Sequence, residues 1–172
     1  MTGAQTALVV VALLTAVSAL GAAVVGGVFF AFSGFVMRGL GQVSPAAGLE
    51  AMQAINVTAV RPPLMITLFG TVLTGLAACV LLAVNDAGHA LWWGFAGEVV
   101  YLAAVIVLTV GFHVPRNNRI ATLDPREPAS VAEWSRYLAE WTRGNHVRAA
   151  GGVVASVLFG IATVLTATAI GW

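Results

Sequence analysis

The sequence predicts an all-α fold: an integral membrane four-helix antiparallel bundle with two short interfacial helices on one side. Three observations predict it. No charged side chain occurs from Met1 through Met37, and a run of that length leaves no face for water, as a helix of a soluble domain requires. Charged residues make up 9 % of the 172-residue chain and hydrophobic residues 59 %, with a mean hydropathy of +0.93, whereas soluble domains carry roughly a quarter charged residues. Finally, four apolar stretches reach the roughly 20 residues that a helical span needs. No polar stretch is long enough to fold separately, so residues 1–172 read as a single transmembrane domain.

The first span covers residues 6–37. It lacks a basic leading region, and its apolar run exceeds the roughly 7–15 residues of a signal-peptide core, so it reads as a span and not as a cleaved leader. It is longer than a bilayer needs and should tilt, project or bend, with Gly26-Gly27 and Ser33-Gly34 as the places for a bend. Ser44-Pro45 is an N-cap followed by proline at the first helical position, which starts a short interfacial helix over 45–59. Leu49, Met52, Ile55 and Asn56 share one face of it. It must stop before Arg61, because Pro62-Pro63 disfavours helix at the preceding residue.

The second span covers 63–84, a tight turn follows from Asn85 to His89, and the third span covers 90–112. After Pro128, Ser130-Val-Ala-Glu133 has the form of a capping box and predicts a second interfacial helix over 130–143. Trp134, Tyr137, Leu138 and Trp141 lie on one face, and Glu133, Arg136, Glu140 and Arg143 on the other. Gly144 stands in the expected terminating position. Such a helix either floats at headgroup level or roofs the bundle. The fourth span covers 147–170. Small residues recur at helix-contact spacing, Ala19, Ala23, Gly27 and Ala31 in the first span and Gly152, Ser156 and Gly160 in the fourth. Packing inside the bundle is the ordinary use of such ridges, and a homo-oligomer interface is the alternative.

Net charge is +1, so bulk charge points to no nucleic-acid partner; the partner that the apolar spans imply is the lipid bilayer. All eight basic residues are arginine. Seven of the eight lie in Arg38–Pro62 and His113–His146, which by the positive-inside rule places both segments in the cytoplasm and both termini outside a cell (inner) membrane. Trp92, Trp93 and Trp172 fall near the opposite ends of the spans, as an interfacial aromatic belt would. The single cysteine, Cys79, allows neither an intrachain disulfide nor a thiolate metal cluster.

Two groups of polar residues call for an explanation. Glu98 sits inside the third span, where a carboxylate costs a few kcal/mol even on mild insertion scales; it must face the bundle interior, be protonated, or both. Tyr101, one turn on, can donate a hydrogen bond to it. Its role is either proton handling or ligand contact, or simply a neutral carboxyl bonded to a neighbouring helix. The denser group is at the arginine-rich ends. Asn56 precedes the second span, His113 and Asn118 follow the third, and Trp141, Asn145, His146 and Arg148 lead into the fourth. In an antiparallel bundle these stretches converge on one mouth beneath Trp134 and Trp141. A histidine can take a proton near neutral pH, arginine and amides can stabilise an oxyanion, and tryptophans can hold a flat aromatic or lipid-like molecule. Each residue, taken singly, is also common where helices meet headgroups. No phosphate-binding glycine loop, paired cysteines or His-Glu-x-x-His pattern is present. No cofactor is predicted; copper or iron on His113, His146 and a carboxylate stays open, although no spacing signals it.

Four segments carry a resemblance: Gly26-Gly-Val-Phe-Phe-Ala-Phe-Ser-Gly34, Met52-Gln-Ala-Ile-Asn-Val57 followed by Pro62, Val114-Pro-Arg-Asn-Asn118, and Trp141-Thr-Arg-Gly-Asn-His-Val-Arg148. Together they resemble the anthrone oxygenase-like family of small integral membrane proteins. The resemblance implies an oxygenase working without flavin or haem, which turns an anthrone into an anthraquinone. It further implies His146 or His113 as base, Asn118, Asn145 and Arg148 as oxyanion donors, and Trp134 and Trp141 as pocket walls. The alternative function is a non-catalytic membrane protein that binds a lipid or quinone, or an accessory or transport subunit, since fold and activity separate easily.

Overall fold

The computed structural model describes residues 2–170; Trp172, expected in the aromatic belt, lies outside them. All regular structure among the described residues is helical. Four helices are long and apolar enough to cross a membrane: α1 (Gly3–Leu40), α3 (Pro62–Val84), α4 (His89–Ala121) and α5 (Ala129–Ile170). The short helix α2 (Pro45–Ala59) lies between the first two. Valine, leucine and phenylalanine side chains cover the outward surfaces, Leu20, Leu73, Val107 and Val157 among them. The chain is a multi-pass membrane protein.

Neighbouring helices run antiparallel, and specific pairs fix their register. Ser18 and Thr74 hydroxyls meet at 2.8 Å between α1 and α3. Thr163 donates to Thr15 at 2.9 Å between α5 and α1. The Tyr101 hydroxyl donates to the Leu68 carbonyl at 3.2 Å between α4 and α3. α1 and α5 approach backbone to backbone: a Cβ on Gly152 would lie 2.7 Å from the Gly26 Cα. Small residues therefore do pack the bundle: on α5 the contact uses Gly152 of the expected ridge, but on α1 it does not use the expected one. Gly26 and Ala22 face inward, whereas Ala23 and Gly27 face outward and Gly27 has nothing near it.

The elements start and stop partly as their sequences dictate. Ser44 caps α2, accepting from the Ala47 N–H at 3.3 Å, with Pro45 in the first turn, and α2 ends at Ala59. α1 contains one π-helical turn, Phe32–Val36, at the predicted Ser33-Gly34 site; Gly26-Gly27 stays α-helical. The turn between α3 and α4 uses positive φ at Asp86 (46°) and Gly88 (55°).

Three expectations are corrected. The third span does not end at Phe112. α4 runs on to Ala121, with π-turns at Leu102–Val107 and Thr109–His113 just before Pro115. The second of them contains Gly111, the residue whose carbonyl a regular α-turn would set against the Pro115 ring. Nor do residues 130–143 form a separate surface-lying helix. Trp134, Tyr137, Trp141, Asn145, Arg148, Gly152, Ala155, Phe159, Ala162 and Thr166 make one buried stripe along a continuous α5. Gly144 does not terminate it. A Cβ there would stand 2.5 Å from the Phe112 ring and 2.9 Å from His113 Nε2, so this glycine admits α4 instead. The capping box is absent too: Ser130 lies inside the helix and donates to the Asp124 carbonyl at 2.7 Å, while Glu133 pairs with Arg119 and Arg136.

With these extensions α5 is 42 residues long, about 63 Å at 1.5 Å per residue, twice the hydrocarbon thickness. Its first third rises out of the bundle and buries its aromatic face. Trp134, Tyr137 and Trp141 pack with Met37, Leu49, Met52 and Ile120 into a second core at the arginine-rich end. Gln53 fastens α2 to the end of α4 through the Ile120 and Leu123 carbonyls, at 2.8 and 3.0 Å.

Candidate functional site

Beneath this second core, at the arginine-rich end of the bundle, lies a cavity of about 220 Å³. All five helices contribute to its walls: Phe29 and Phe32 from α1, Met52, Ile55 and Asn56 from α2, Leu64, Met65 and Leu68 from α3, Ile106, Thr109 and Asn117 from α4, and Trp141 and Arg148 from α5. The lining is overwhelmingly apolar, and its few polar groups therefore decide what it can hold.

Arg148 is the foremost of them. It is 4 % exposed, and none of the ion pairs among the described residues includes it. Its Nη2 donates to Asn145 Oδ1 at 2.7 Å and its Nη1 to Thr109 Oγ1 at 3.3 Å, while Nε has no partner. The guanidinium lies 4.1 Å from the Phe29 ring centroid and 5.0 Å from that of Trp141. Aromatic faces favour a cation, but they do not neutralise it. A buried charge without a counter-charge costs several kcal/mol, so this geometry suits an anion delivered by a ligand.

Two amides flank the guanidinium. Asn56 Nδ2 is buried without a partner. Asn117 Oδ1 accepts from both the Tyr137 hydroxyl, at 2.9 Å, and Trp141 Nε1, at 3.0 Å. It thereby fixes the indole that walls the cavity. Asn145 lies behind Arg148, wholly buried, with Nδ2 donating to the Phe29 carbonyl at 2.6 Å and Ser33 Oγ at 2.7 Å. It orients the arginine and does not line the cavity.

The convergence expected of the three arginine-rich stretches is present, with altered membership. Asn56, Trp141 and Arg148 line the cavity. His113 is 1 % exposed and sits one side chain back, its ring edge-on to Trp141 at 5.1 Å between centroids, with neither ring nitrogen hydrogen-bonded. Trp134 is buried in the second core, stacked on Tyr137 at 5.7 Å, away from the cavity. His146 and Asn118 face outward. Each follows the inward residue, Asn145 or Asn117, by one position, and about 100° of helical turn per residue carries it off the buried face. A span that ends at Phe112 leaves Asn117 without a helical face, and Thr109, inside that span, is a single hydroxyl that carries no signal of its own in the sequence. Continuing the helix places Thr109, His113 and Asn117 at i, i+4, i+8 on one side.

Glu98 and Tyr101 belong elsewhere. Glu98 is 2 % exposed, its oxygens lie against Gly75 of α3, and neither has a hydrogen-bond donor. The expected Tyr101–Glu98 bond is not formed. The Tyr101 hydroxyl reaches Leu68, which lies two turns of α3, about 10 Å, from the Gly75 level where the carboxyl sits. No group of three His, Cys, Asp or Glu side chains among the described residues could hold a metal ion.

The comparisons with known proteins agree with the architecture. A family model described as anthrone oxygenase matches residues 63–158, more than half of the chain, with α3 from its second residue, all of α4 and the Trp141–Arg148 segment. No curated protein and no solved structure matches the chain.

Proposed function

The chain belongs to the anthrone oxygenase family, and from that premise we propose that it oxidises an anthrone-like or phenolic aromatic compound with dioxygen inside the cavity at its arginine-rich end. One observation carries the reading: Arg148, buried among aromatic rings, has no anion of its own. An anthrone becomes such an anion on losing a proton from its central methylene, its charge moving to the carbonyl oxygen across the ring.

The chemistry then balances without a resident redox group. The anion passes an electron to dioxygen, and the radical pair closes a C–O bond to give a hydroperoxide on the substrate. Loss of the remaining methylene proton with cleavage of the O–O bond leaves the second carbonyl. One oxygen atom enters the quinone and the other leaves as water with the two protons. Arg148 and the amides of Asn56 and Asn117 hold the oxyanion; Phe29 and Trp141 keep the ring system flat; Asn145 positions Arg148. His113 is the base. It has free ring nitrogens and stands one side chain behind the cavity wall, edge-on to Trp141. Under the positive-inside rule this end of the bundle faces the cytoplasm.

Purified protein in detergent should convert an anthrone to the anthraquinone faster than buffer, consuming one dioxygen per turnover, and Arg148→Met should remove the gain. Turnover that survives Arg148→Met, or a wild-type rate no higher than buffer, would overturn the reading. Elemental analysis of the active protein should return no stoichiometric copper or iron.

A further inference from the structure

We infer that the ligand enters this cavity sideways from the bilayer, through a gap between α3 and α4. The inference rests on the functional reading above for the identity of the ligand, a neutral planar phenol or anthrone that becomes an anion only at Arg148.

α3 and α4 are joined at the turn end and part at the other. Leu82 packs against Gly94, Gly75 against Glu98, and the last tie is the 3.2 Å hydrogen bond from Tyr101 to Leu68. Beyond it, from Leu68 towards Pro62 and from Leu102 towards Ala121, contact between the two helices is sparse. The cavity lies behind this divergence. Val60, Phe69, Val110 and Val114 line it and are at the same time 68 %, 50 %, 61 % and 40 % exposed on the outer surface. A residue can be both only where the wall is open. Both π-turns of α4 border the opening, with Ile106, Thr109 and Val110 upon them; such turns are frequent at functional sites.

The opening faces hydrocarbon. Eighteen residues of helix separate Trp92 from Val110, about 27 Å along the axis, within the roughly 30 Å of a bilayer core that starts near the Trp92 belt. The rim side chains are valine and phenylalanine. Towards water, by contrast, the cavity is roofed by Met52 and Ile55 of α2, which Gln53 fastens to α4, and by Trp141. A neutral phenol dissolves in lipid and its anion does not. The route therefore selects the neutral form, and ionisation beside Arg148 retains it. The quinone product carries no charge for Arg148 to hold and leaves by the same gap.

The test uses the full chain in phosphatidylcholine vesicles that contain a phosphatidylcholine with a diazirine in its acyl chain. After illumination, adducts mapped by mass spectrometry should fall on Met65, Leu68 and Ile106 within the cavity as well as on outward-facing Val157, and added anthrone should reduce the cavity adducts alone. Adducts confined to outward faces would overturn the lateral route. Val110→Trp should lower kcat/KM for vesicle-dissolved anthrone about tenfold or more through KM, whereas Val157→Trp leaves it unchanged; equal values for the two variants would also count against the route. If the wild type turns over no anthrone, the proposed activity fails, while the labelling pattern still decides the route.

Discussion

Arg148 and Asn145, one turn apart on the buried stripe of α5, are joined by a 2.7 Å hydrogen bond from Nη2 to Oδ1. Asn145 commits both Nδ2 hydrogens to α1, at Phe29 and Ser33, so its oxygen is held towards the guanidinium. α1 thus sets the direction of the cavity's one buried cation through an amide that never reaches the ligand.

That arrangement makes Asn145→Asp more informative than removal of the side chain. An aspartate keeps the shape but supplies Arg148 with an internal anion, and it turns an acceptor towards the Phe29 carbonyl where a donor stood. Affinity for a phenolate ligand, read by calorimetric titration, should fall at least tenfold, about 1.4 kcal/mol. The unfolding free energy should drop by roughly 1–3 kcal/mol for the hydrogen bonds lost in a buried site. Unchanged affinity would show that the charge of Arg148 is not what the ligand meets.

The two histidines make opposite predictions. His146→Ala should leave turnover unaltered, because its imidazole points outward, away from the Asn145 face. His113→Ala should lower kcat by roughly 10²–10⁴, the usual contribution of a general base. Near-UV circular dichroism checks that the Trp141 packing survives. A damaging His146→Ala beside a silent His113→Ala would reverse the assignment.

How far the sequence led can be judged from such pairs. Hydropathy located all four spans, because a bilayer imposes a length and an apolar composition that single residues cannot hide. The Ser44-Pro45 start and the Pro62 stop were legible because each rests on local backbone geometry. Errors came where local signals met tertiary packing. Gly144 reads as a helix terminator, yet it is small to admit Phe112 and His113. The third span reads as ending at Phe112, yet α4 runs on past Pro115 to Ala121. Asn118 and His146 read as site residues, yet their neighbours Asn117 and Asn145 hold the inward positions. Arg148, whose neighbourhood depends on neither boundary, reads as part of the mouth and lines the cavity.

Gly152 on α5 and Gly27 on α1 should respond differently to the same change. A Cβ on Gly152 would meet the Gly26 Cα at 2.7 Å, backbone against backbone, with no flexible side chain to give way. Gly152→Ala should therefore cost roughly 1–3 kcal/mol in detergent unfolding, as overpacking of a tight interface does. Gly27→Ala meets nothing and should be neutral for the monomer. If it lowers stability in a concentration-dependent way, the outward ridge of Ala19, Ala23, Gly27 and Ala31 joins two copies of the chain.

Glu98 offers the last and least conventional prediction. Its carboxyl lies between Gly75 and Phe159 with no donor on either oxygen, and Tyr101, the one nearby hydroxyl on its own helix face, is engaged with Leu68. A charged carboxylate there would cost a few kcal/mol, whereas glutamine fills the same space uncharged. Glu98→Gln should unfold at or above the wild-type temperature. It should also leave anthrone turnover unchanged, because Ile106, the nearest cavity-lining residue on α4, is about 12 Å further along the helix. Glu98→Lys, with a longer side chain against the Gly75 backbone, should lower the yield of folded protein severely. A stable Glu98→Gln variant that has lost turnover would instead tie this carboxyl to the reaction, and would require a proton path from α4's turn end down to the Arg148 cavity.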